Sequence, residues 1–218
     1  MATDDLWMGN TTQSQSDWLR MAHYGNPKQD GPLSNYWQYR YKSILRCNIV
    51  IEKVATAPIS NEDLRKRIIA EAKFLRAFNY FELVKNYGGV PVITGMKLPS
   101  EIQGIQRETV EGTYAVIEQD LKDAITDLPL KSEYSSADLG RATQGAAMGY
   151  LGKAYLYQGK YKEAFKILGD LINTQEYDLC TNFKDVWSIA NNNSIESLFE
   201  VQYSSDISLS LIHISEPT

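Results

Sequence analysis

EAKFLRAFNYFELVKNYGGVPVI, residues 71–93, combines a clear helical pattern with an abrupt stop. Apolar side chains recur at intervals of three and four and form two stripes, which indicates a helix that is buried on more than one side. Gly88 and Gly89 can adopt positive φ, and Pro91 cannot continue a helix. We therefore predict a long core helix that ends near Tyr87 and has a structural role. Its two stripes are Ala72, Leu75 and Phe78, and Phe74, Ala77 and Phe81.

A second long helix precedes this one. Ser34 is the candidate N-cap of a helix from Asn35 to about Thr56, because a serine hydroxyl can accept a hydrogen bond from the first turn. Asn61 is the candidate N-cap of the helix that continues to Tyr87. Two long helices joined by a short linker predict an antiparallel hairpin.

The chain after residue 94 predicts a polar loop over residues 95–106 and a helix over residues 109–128. Residues 141–173, RATQGAAMGYLGKAYLYQGKYKEAFKILGDLIN, then match the tetratricopeptide pattern: Leu-Gly, a Tyr three residues after the Gly, and an Ala nine residues after the Tyr. The small residues Gly152 and Ala164 would let two helix backbones cross closely. Because an isolated repeat cannot bury its faces, we expect several such hairpins to stack.

Two further patterns bear on fold and chemistry. Residues 197–203, SLFEVQY, alternate between apolar and polar residues and predict a strand or an extended segment. Glu118, Asp120 and Asp123 lie in the helix over residues 109–128, where we interpret them as a solvated face. Glycoside hydrolysis needs a pair of carboxylates, and nothing in the sequence marks such a pair.

The sequence predicts neither a metal site nor a cofactor site. His23 has no carboxylate or cysteine partner at the spacing of metal ligands. Cys47 and Cys180 are far apart and have no CxxC neighbour, which argues against a disulfide framework and a zinc site. Cys47 lies in an apolar helical pattern and is predicted to be a small buried hydrophobe. Residues 145–153 resemble a phosphate-binding loop only faintly, since the first glycine is absent and the segment lies in a predicted helix.

The charge and the length of the chain limit which partners and which domain organisation we expect. The 218 residues carry a net charge of −5, so no strongly basic face for nucleic acid is expected. This length allows one large domain or two small ones. No apolar run approaches the length of a membrane span, and the acidic, polar start of the chain is not a secretory signal.

Aromatic and polar residues are interspersed in the loop-rich N-terminal segment, residues 1–33. A sugar ring has an apolar C–H face that Trp or Tyr can cover, and a rim of hydroxyls that Asp, Asn and Arg can bind. This composition suits a sugar ligand, and the alternative is that Trp7 and Trp18 anchor the loop to the helical core. The candidate binding residues are Asp4, Asp5, Trp7, Asn10, Trp18, Arg20 and Tyr24.

Four segments, in this order, resemble the SusD/RagB family of nutrient-binding outer-membrane lipoproteins. They are RCN at residues 46–48, the motif at 71–93, RATQGAAMGYLGKAYLYQGKYKEAFKIL at 141–168, and ESLFEVQY at 196–203. The resemblance covers nearly all of residues 1–208. It implies an all-α fold of tetratricopeptide-like helical hairpins in a superhelical array, with long decorating loops and little strand.

The resemblance also implies a function without catalysis. Family members are anchored by a lipid at the surface of the outer membrane, bind oligosaccharide or polysaccharide, and cap a SusC-like TonB-dependent transporter. Their binding residues include the N-terminal region, which agrees with the composition of residues 1–33. We therefore expect a glycan-binding protein that needs no cofactor.

Family members begin with a signal peptide and a lipidated cysteine, and they are considerably longer at the C-terminal end. We therefore expect residues 1–208 to be an incomplete SusD-like N-terminal helical domain. Residues 209–218, LSLIHISEPT, are similar to the translation of a transposase-type sequencing adapter, so we expect the natural sequence to stop near Ser208. Genomic DNA that encodes these residues in place would contradict this expectation.

Two other functions stay open. A tetratricopeptide adaptor would bind a protein segment in its groove, and a chaperone or secretion locus around the gene would favour it. A helical glycosidase is disfavoured by the lack of an acid/base pair, and hydrolysis of a glycan by the purified protein would revive it. A neighbouring gene for a SusC-like barrel would favour the glycan-binding function.

Overall fold

The computed structural model describes residues 31–202. The chain divides into two compact units, Met1–Asp123 and Ala124–Thr218, of which residues 31–123 and 124–202 are described. Residues 31–202 form helices and short 3-10 turns and contain no β-strand, which confirms the predicted all-α class of helical hairpins. None of these helices is long and apolar enough to cross a membrane. The helices are α1 (Pro32–Thr56), α2 (Glu62–Tyr87), α3 (Pro99–Ile102), α4 (Val110–Asp127), α5 (Gln144–Tyr157) and α6 (Tyr161–Asn173).

Helix α1 begins at Pro32, with Gly31 as its N-cap, so the predicted start at Asn35 with Ser34 as cap was wrong. Proline suits the first helical position, because its fixed φ is already helical and the N–H that it lacks has no partner there. The backbone N–H of Ser34 instead donates to the carbonyl of Gly31 at 3.0 Å. The end of the helix at Thr56 agrees with the prediction.

Helix α2 has the predicted ends. The Asn61 side chain accepts a hydrogen bond from the backbone N–H of Leu64 at 3.0 Å, and the helix stops at Tyr87. Gly88 follows at φ +71°, a conformation that favours glycine. Helices α1 and α2 pack against each other as the predicted antiparallel hairpin: the start of α1 contacts the end of α2, and the end of α1 contacts the start of α2.

The core of the first unit contains most of the predicted apolar stripes of α2. Phe74 and Phe81 are fully buried, as predicted. Phe78 is half-buried, with the guanidinium of Arg40 5.2 Å from the centre of its ring. Leu75 is exposed, so its assignment to the core was wrong, because one face of α2 remains in solvent.

Helices α5 and α6 form the predicted tetratricopeptide-like hairpin of the second unit. The Thr143 hydroxyl caps α5 by accepting from the N–H of Ala146 at 3.0 Å, and Gly159 makes the turn at φ +70°. The two helices approach closely at Gly152, where a Cβ atom would lie only 2.5 Å from the Cδ2 of Leu168. The small residue therefore allows the close crossing that the repeat pattern predicted.

One face of α6 is apolar and exposed. Tyr161, Phe165 and Ile172 lie at helical spacing, and each is exposed over most of its surface. Ala164 and Leu171, which directly precede Phe165 and Ile172, are buried on an adjacent side of α6. Helix α6 is therefore apolar on two sides, as expected for a repeat that needs a neighbour on each side.

The predicted loop over residues 95–106 has more structure than expected, and α4 agrees with its prediction. The connection over residues 95–106 contains α3, and residues 131–140 contain two 3-10 turns, Lys131–Glu133 and Ser136–Asp138. The Thr109 hydroxyl caps α4 by accepting from the N–H of Gly112 at 2.9 Å. The cap therefore forms although Gly112 replaces the Glu of a capping box.

The prediction near the end of the described region was a strand or an extended segment, and no strand forms over residues 197–202. A strand needs a neighbouring strand to bond its backbone groups. Here the carbonyls of Ser194 and Ser197 instead accept hydrogen bonds from the Nζ of Lys131 at 2.5 and 2.9 Å. Two further 3-10 turns precede this segment, Phe183–Trp187 and Ile189–Asn191.

Both cysteines are free thiols. Cys47 is buried, as its place in an apolar helical pattern predicted. Burial raises the pKa of the Cys47 thiol to about 11, because the thiolate would lose its hydration. At neutral pH Cys47 is therefore a protonated, unreactive part of the core.

Candidate functional site

The predicted glycan-binding residues all precede residue 31 and lie outside the described residues, as does His23. Their role in binding glycan therefore stays a prediction. The structure does describe the place where this N-terminal segment joins the helices, at Gly31. The residues concerned are Asp4, Asp5, Trp7, Asn10, Trp18, Arg20 and Tyr24.

Four aromatic rings form a cluster at this junction, where α1 begins and α2 ends. We call Tyr36, Trp37, Tyr41 and Tyr87 the junction cluster. The Trp37 ring meets the edge of Tyr87 at 5.0 Å between centroids and an interplanar angle of 89°, and it lies 4.8 Å from Tyr41. Tyr36 lies 6.5 Å from Tyr87. Such offset and edge-on contacts stabilise a fixed arrangement of rings.

Tyr36 of the junction cluster is bonded to a charged pair on α2, Glu82 and Lys85. The Tyr36 hydroxyl donates a hydrogen bond to Glu82, and Lys85 forms an ion pair with Glu82 at 2.5 Å. Although burial alone would raise the pKa of Glu82, the bonds from Lys85 and Tyr36 hold it below its usual value. Burial, together with the bond to Glu82, raises the pKa of Tyr36 to about 12. Tyr36 is therefore a neutral donor, and Glu82 a charged acceptor, at neutral pH.

The backbone at the junction is also fixed. Gly31 and Pro32 are buried, and the carbonyl of Leu33 accepts a hydrogen bond from the Tyr87 hydroxyl at 2.7 Å. On the other side of the cluster, the guanidinium of Arg107 donates to the carbonyl of Gly89 at 2.7 Å and to that of Tyr87. The chain therefore enters α1 beside four aromatic rings, at a point where hydrogen bonds fix the backbone.

A buried ion pair lies deeper in the same unit and overturns one prediction. Asp120 is only 3% exposed, and Arg76 of α2 donates two hydrogen bonds to its carboxylate, each at 2.7 Å. Glu118 is also buried, and Asp123 accepts from the Nζ of Lys73 at 2.6 Å. The interpretation of Glu118, Asp120 and Asp123 as a solvated face was therefore wrong, because α2 supplies cations to this side of α4.

Arg76 also forms hydrogen bonds that fix the connection after α2. Arg76 donates to the carbonyl of Thr94 at 2.7 Å and to the side-chain oxygen of Asn48 at 2.8 Å. The amide of Asn48 then donates to the carbonyls of Ile93 and Gly95 at 2.9 and 3.1 Å. This network holds residues 93–95 against α1 and α2, and every polar group in it has a partner.

One sequence signal could have revealed this network. Arg76 lies four residues after Ala72 and four before Tyr80, and both neighbours are buried. A charged residue inside an apolar helical stripe needs a buried partner. The partner itself, Asp120, could not be chosen from the pattern, because several carboxylates lie on α4.

The Arg76–Asp120 pair suits a structural role. Arg76 donates two parallel hydrogen bonds to the carboxylate of Asp120, which is the geometry of a structural ion pair. Among residues 31–202, no group of three or more His, Cys, Asp or Glu side chains could hold a metal ion. The role that this geometry supports is a rigid scaffold.

Comparison with known proteins identifies the family. The model of a SusD-like family, described as starch-binding and associating with the outer membrane, matches residues 1–156. A SusD-like protein of Bacteroides ovatus is 32% identical over 189 residues, which cover 80% of this chain and 33% of that protein. The chain spans about a third of the length of the curated relatives that it matches.

Solved structures agree with this match. A laminarin-binding SusD-like protein is 32% identical with a TM-score of 0.80, and the match covers 88% of this chain and 42% of the other. Surface glycan-binding protein A of Bacteroides uniformis is 25% identical with a TM-score of 0.80, over 93% of this chain and 45% of the other. The family match over residues 1–156, together with these relatives, shows that the chain belongs to the SusD/RagB family, as the order of its sequence segments predicted.

Proposed function

We propose that this chain is the helical N-terminal part, over residues 1–208, of a cell-surface glycan-binding protein that has no catalytic activity. The observation that carries the proposal is the SusD-like family match, which includes the whole aromatic N-terminal segment. The laminarin-binding neighbour supports a glucan as the first ligand to test. The protein would be anchored to the outer membrane by a lipid and would pass its ligand to a SusC-like TonB-dependent transporter.

Within this function, the N-terminal segment meets the glycan. Its Trp and Tyr rings suit the apolar face of a sugar, and its Asp, Asn and Arg side chains suit the hydroxyls. The segment joins α1 at Gly31, beside the hydrogen bond from the Tyr87 hydroxyl to the carbonyl of Leu33. The helices α1 and α2 then provide support rather than ligand contacts.

Affinity electrophoresis of the full-length protein, with a panel of polysaccharides that includes laminarin and starch, tests the proposal. We expect at least one glycan to retard the protein. Trp7→Ala and Trp18→Ala should each weaken binding by roughly thirtyfold, the effect of removing an aromatic anchor worth about 2 kcal/mol. Tyr39→Ala is the matched control, since Tyr39 is an aromatic residue that is 64% exposed on α1; it should bind like the wild type.

Failure of the whole panel would contradict the glycan-binding function. Equal losses for Tyr39→Ala and the two Trp variants would contradict the assignment of the N-terminal segment. Release of shortened sugars during the assay would instead support the glycosidase, and a peptide ligand held in the helical groove would support the adaptor. Copurification of a SusC-like barrel with the tagged protein tests the transporter partner.

A further inference from the structure

The first unit contains an open cavity of about 390 Å³ between α1 and the connection that follows α2. This volume lies in the range of small-molecule sites. Aliphatic side chains dominate its wall, and Trp37 of the junction cluster contributes one side. The aliphatic wall residues are Ile44, Leu45, Ile93, Ile102 and Ile105.

Two uncharged polar side chains of the wall, those of Tyr41 and Asn48, are already bonded within the protein. The Tyr41 hydroxyl donates to the carbonyl of Pro91 at 2.7 Å. The amide of Asn48 donates to two backbone carbonyls, and its oxygen accepts from Arg76. Away from Trp37, Lys42 and Lys97, the hydroxyls of a sugar in this cavity would be buried against aliphatic carbon, which is costly. The cavity therefore does not suit a glycan.

The charged groups of the wall are both cationic. Lys42 and Lys97 line the cavity, and their side chains are exposed to solvent. Within residues 31–202 neither ammonium forms an ion pair, and the contact of Lys42 is with the ring of Tyr39, 5.6 Å away. The described wall contains no carboxylate; Glu52 lies further along α1 and accepts from the N–H of Met96 at 2.6 Å.

We propose that this cavity binds an amphipathic monocarboxylate, with its acyl chain against the aliphatic wall and its carboxylate beside Lys42 and Lys97. The apolar wall favours burial of the chain. The two ammonium groups favour an anion over a neutral or cationic head group. The wall residues named here differ from the seven residues to which the proposed function assigns glycan.

Isothermal titration calorimetry of the 218-residue chain with decanoate, below its micelle concentration, tests the proposal. We expect decanoate to bind at one site. Decanol and decyltrimethylammonium, which share the chain but change the head group, should bind at least about tenfold more weakly, since a charge-assisted hydrogen bond is worth about that factor.

Two sets of variants locate the site. The double variant Lys42→Gln/Lys97→Gln should weaken decanoate binding about tenfold, and Ile105→Trp should abolish it by filling the cavity. Lys162→Gln is the matched control, because Lys162 is an exposed lysine on α6 that is not part of the cavity; it should leave binding unchanged. The helical circular dichroism of each variant shows that it is folded.

The proposal is overturned if decanoate does not bind, or if decanol binds as tightly. It is also overturned if the double lysine variant binds decanoate as well as Lys162→Gln does, because decanoate then lies elsewhere. If Ile105→Trp does not fold, the double lysine variant alone decides, since both of its substitutions are at exposed positions.

Discussion

Replacing Asp120 with alanine should lower the free energy of unfolding by about 3–5 kcal/mol, the usual cost of removing one partner of a buried ion pair. The side chains of Arg76 and Asp120 are only 7% and 4% exposed, so the substitution leaves a guanidinium buried without its counter-charge. Arg76 also holds Asn48 and Thr94, and the loss should therefore spread to the connection that follows α2. Urea unfolding followed by helical circular dichroism measures the change.

An exposed ion pair provides the control. Lys166 and Asp170 form a pair at 2.6 Å on α6, where their side chains are 78% and 45% exposed. Asp170→Ala should cost less than about 1 kcal/mol, because solvent screens the pair. The double variant Arg76→Met/Asp120→Leu should recover much of the loss, since it buries no unpaired charge. An Asp120→Ala variant that is no less stable than Asp170→Ala would show that the buried network contributes little.

Replacing Gly89 with alanine should cost about 1–3 kcal/mol, the usual cost of forcing extra atoms into a packed region. A Cβ atom on Gly89 would lie 2.0 Å from the carbonyl oxygen of Glu108. A side chain could rotate away from this contact, but a backbone carbonyl cannot. The N–H of Glu108 also donates to the carbonyl of Val90 at 3.1 Å, which holds the two segments together. The same urea titration measures the loss.

Gly169→Ala is the matched control for this substitution. Gly169 lies in α6, and a Cβ atom there would meet no heavy atom within 4 Å. Alanine is the better helix former, so this variant should be as stable as the wild type or more stable by up to about 1 kcal/mol. If Gly89→Ala behaves like Gly169→Ala, the close approach of the two backbones is not what requires a glycine.

Local signals in the sequence predicted the parts of the fold that depend on neighbouring residues. The Asn61 cap and the stop at Gly88 each follow from the preference of one residue type. The crossing of α5 and α6 also followed from a pattern, because only a small residue such as Gly152 allows it.

Contacts between distant positions could not be predicted in this way. Arg76 and Asp120 are 44 residues apart, and the carboxylates of α4 have the same spacing whether the face is solvated or buried. A strand, one of the two alternatives predicted there, does not form over residues 197–202 for a related reason, since alternation gives no information about a neighbouring strand. The seven candidate residues before Gly31 stay a prediction, because residue types can suit a sugar without fixing which of them touch it.

We propose that residues before α1 meet the glycan while the helices hold them in place. Hydrogen–deuterium exchange of the full-length protein, with and without the glycan that binds best in the panel, tests it most directly. We predict that the glycan slows exchange in peptides that cover residues 4–24 and leaves exchange in α5 and α6 unchanged. Slowed exchange confined to the α5–α6 hairpin, with no change before Gly31, would contradict the claim.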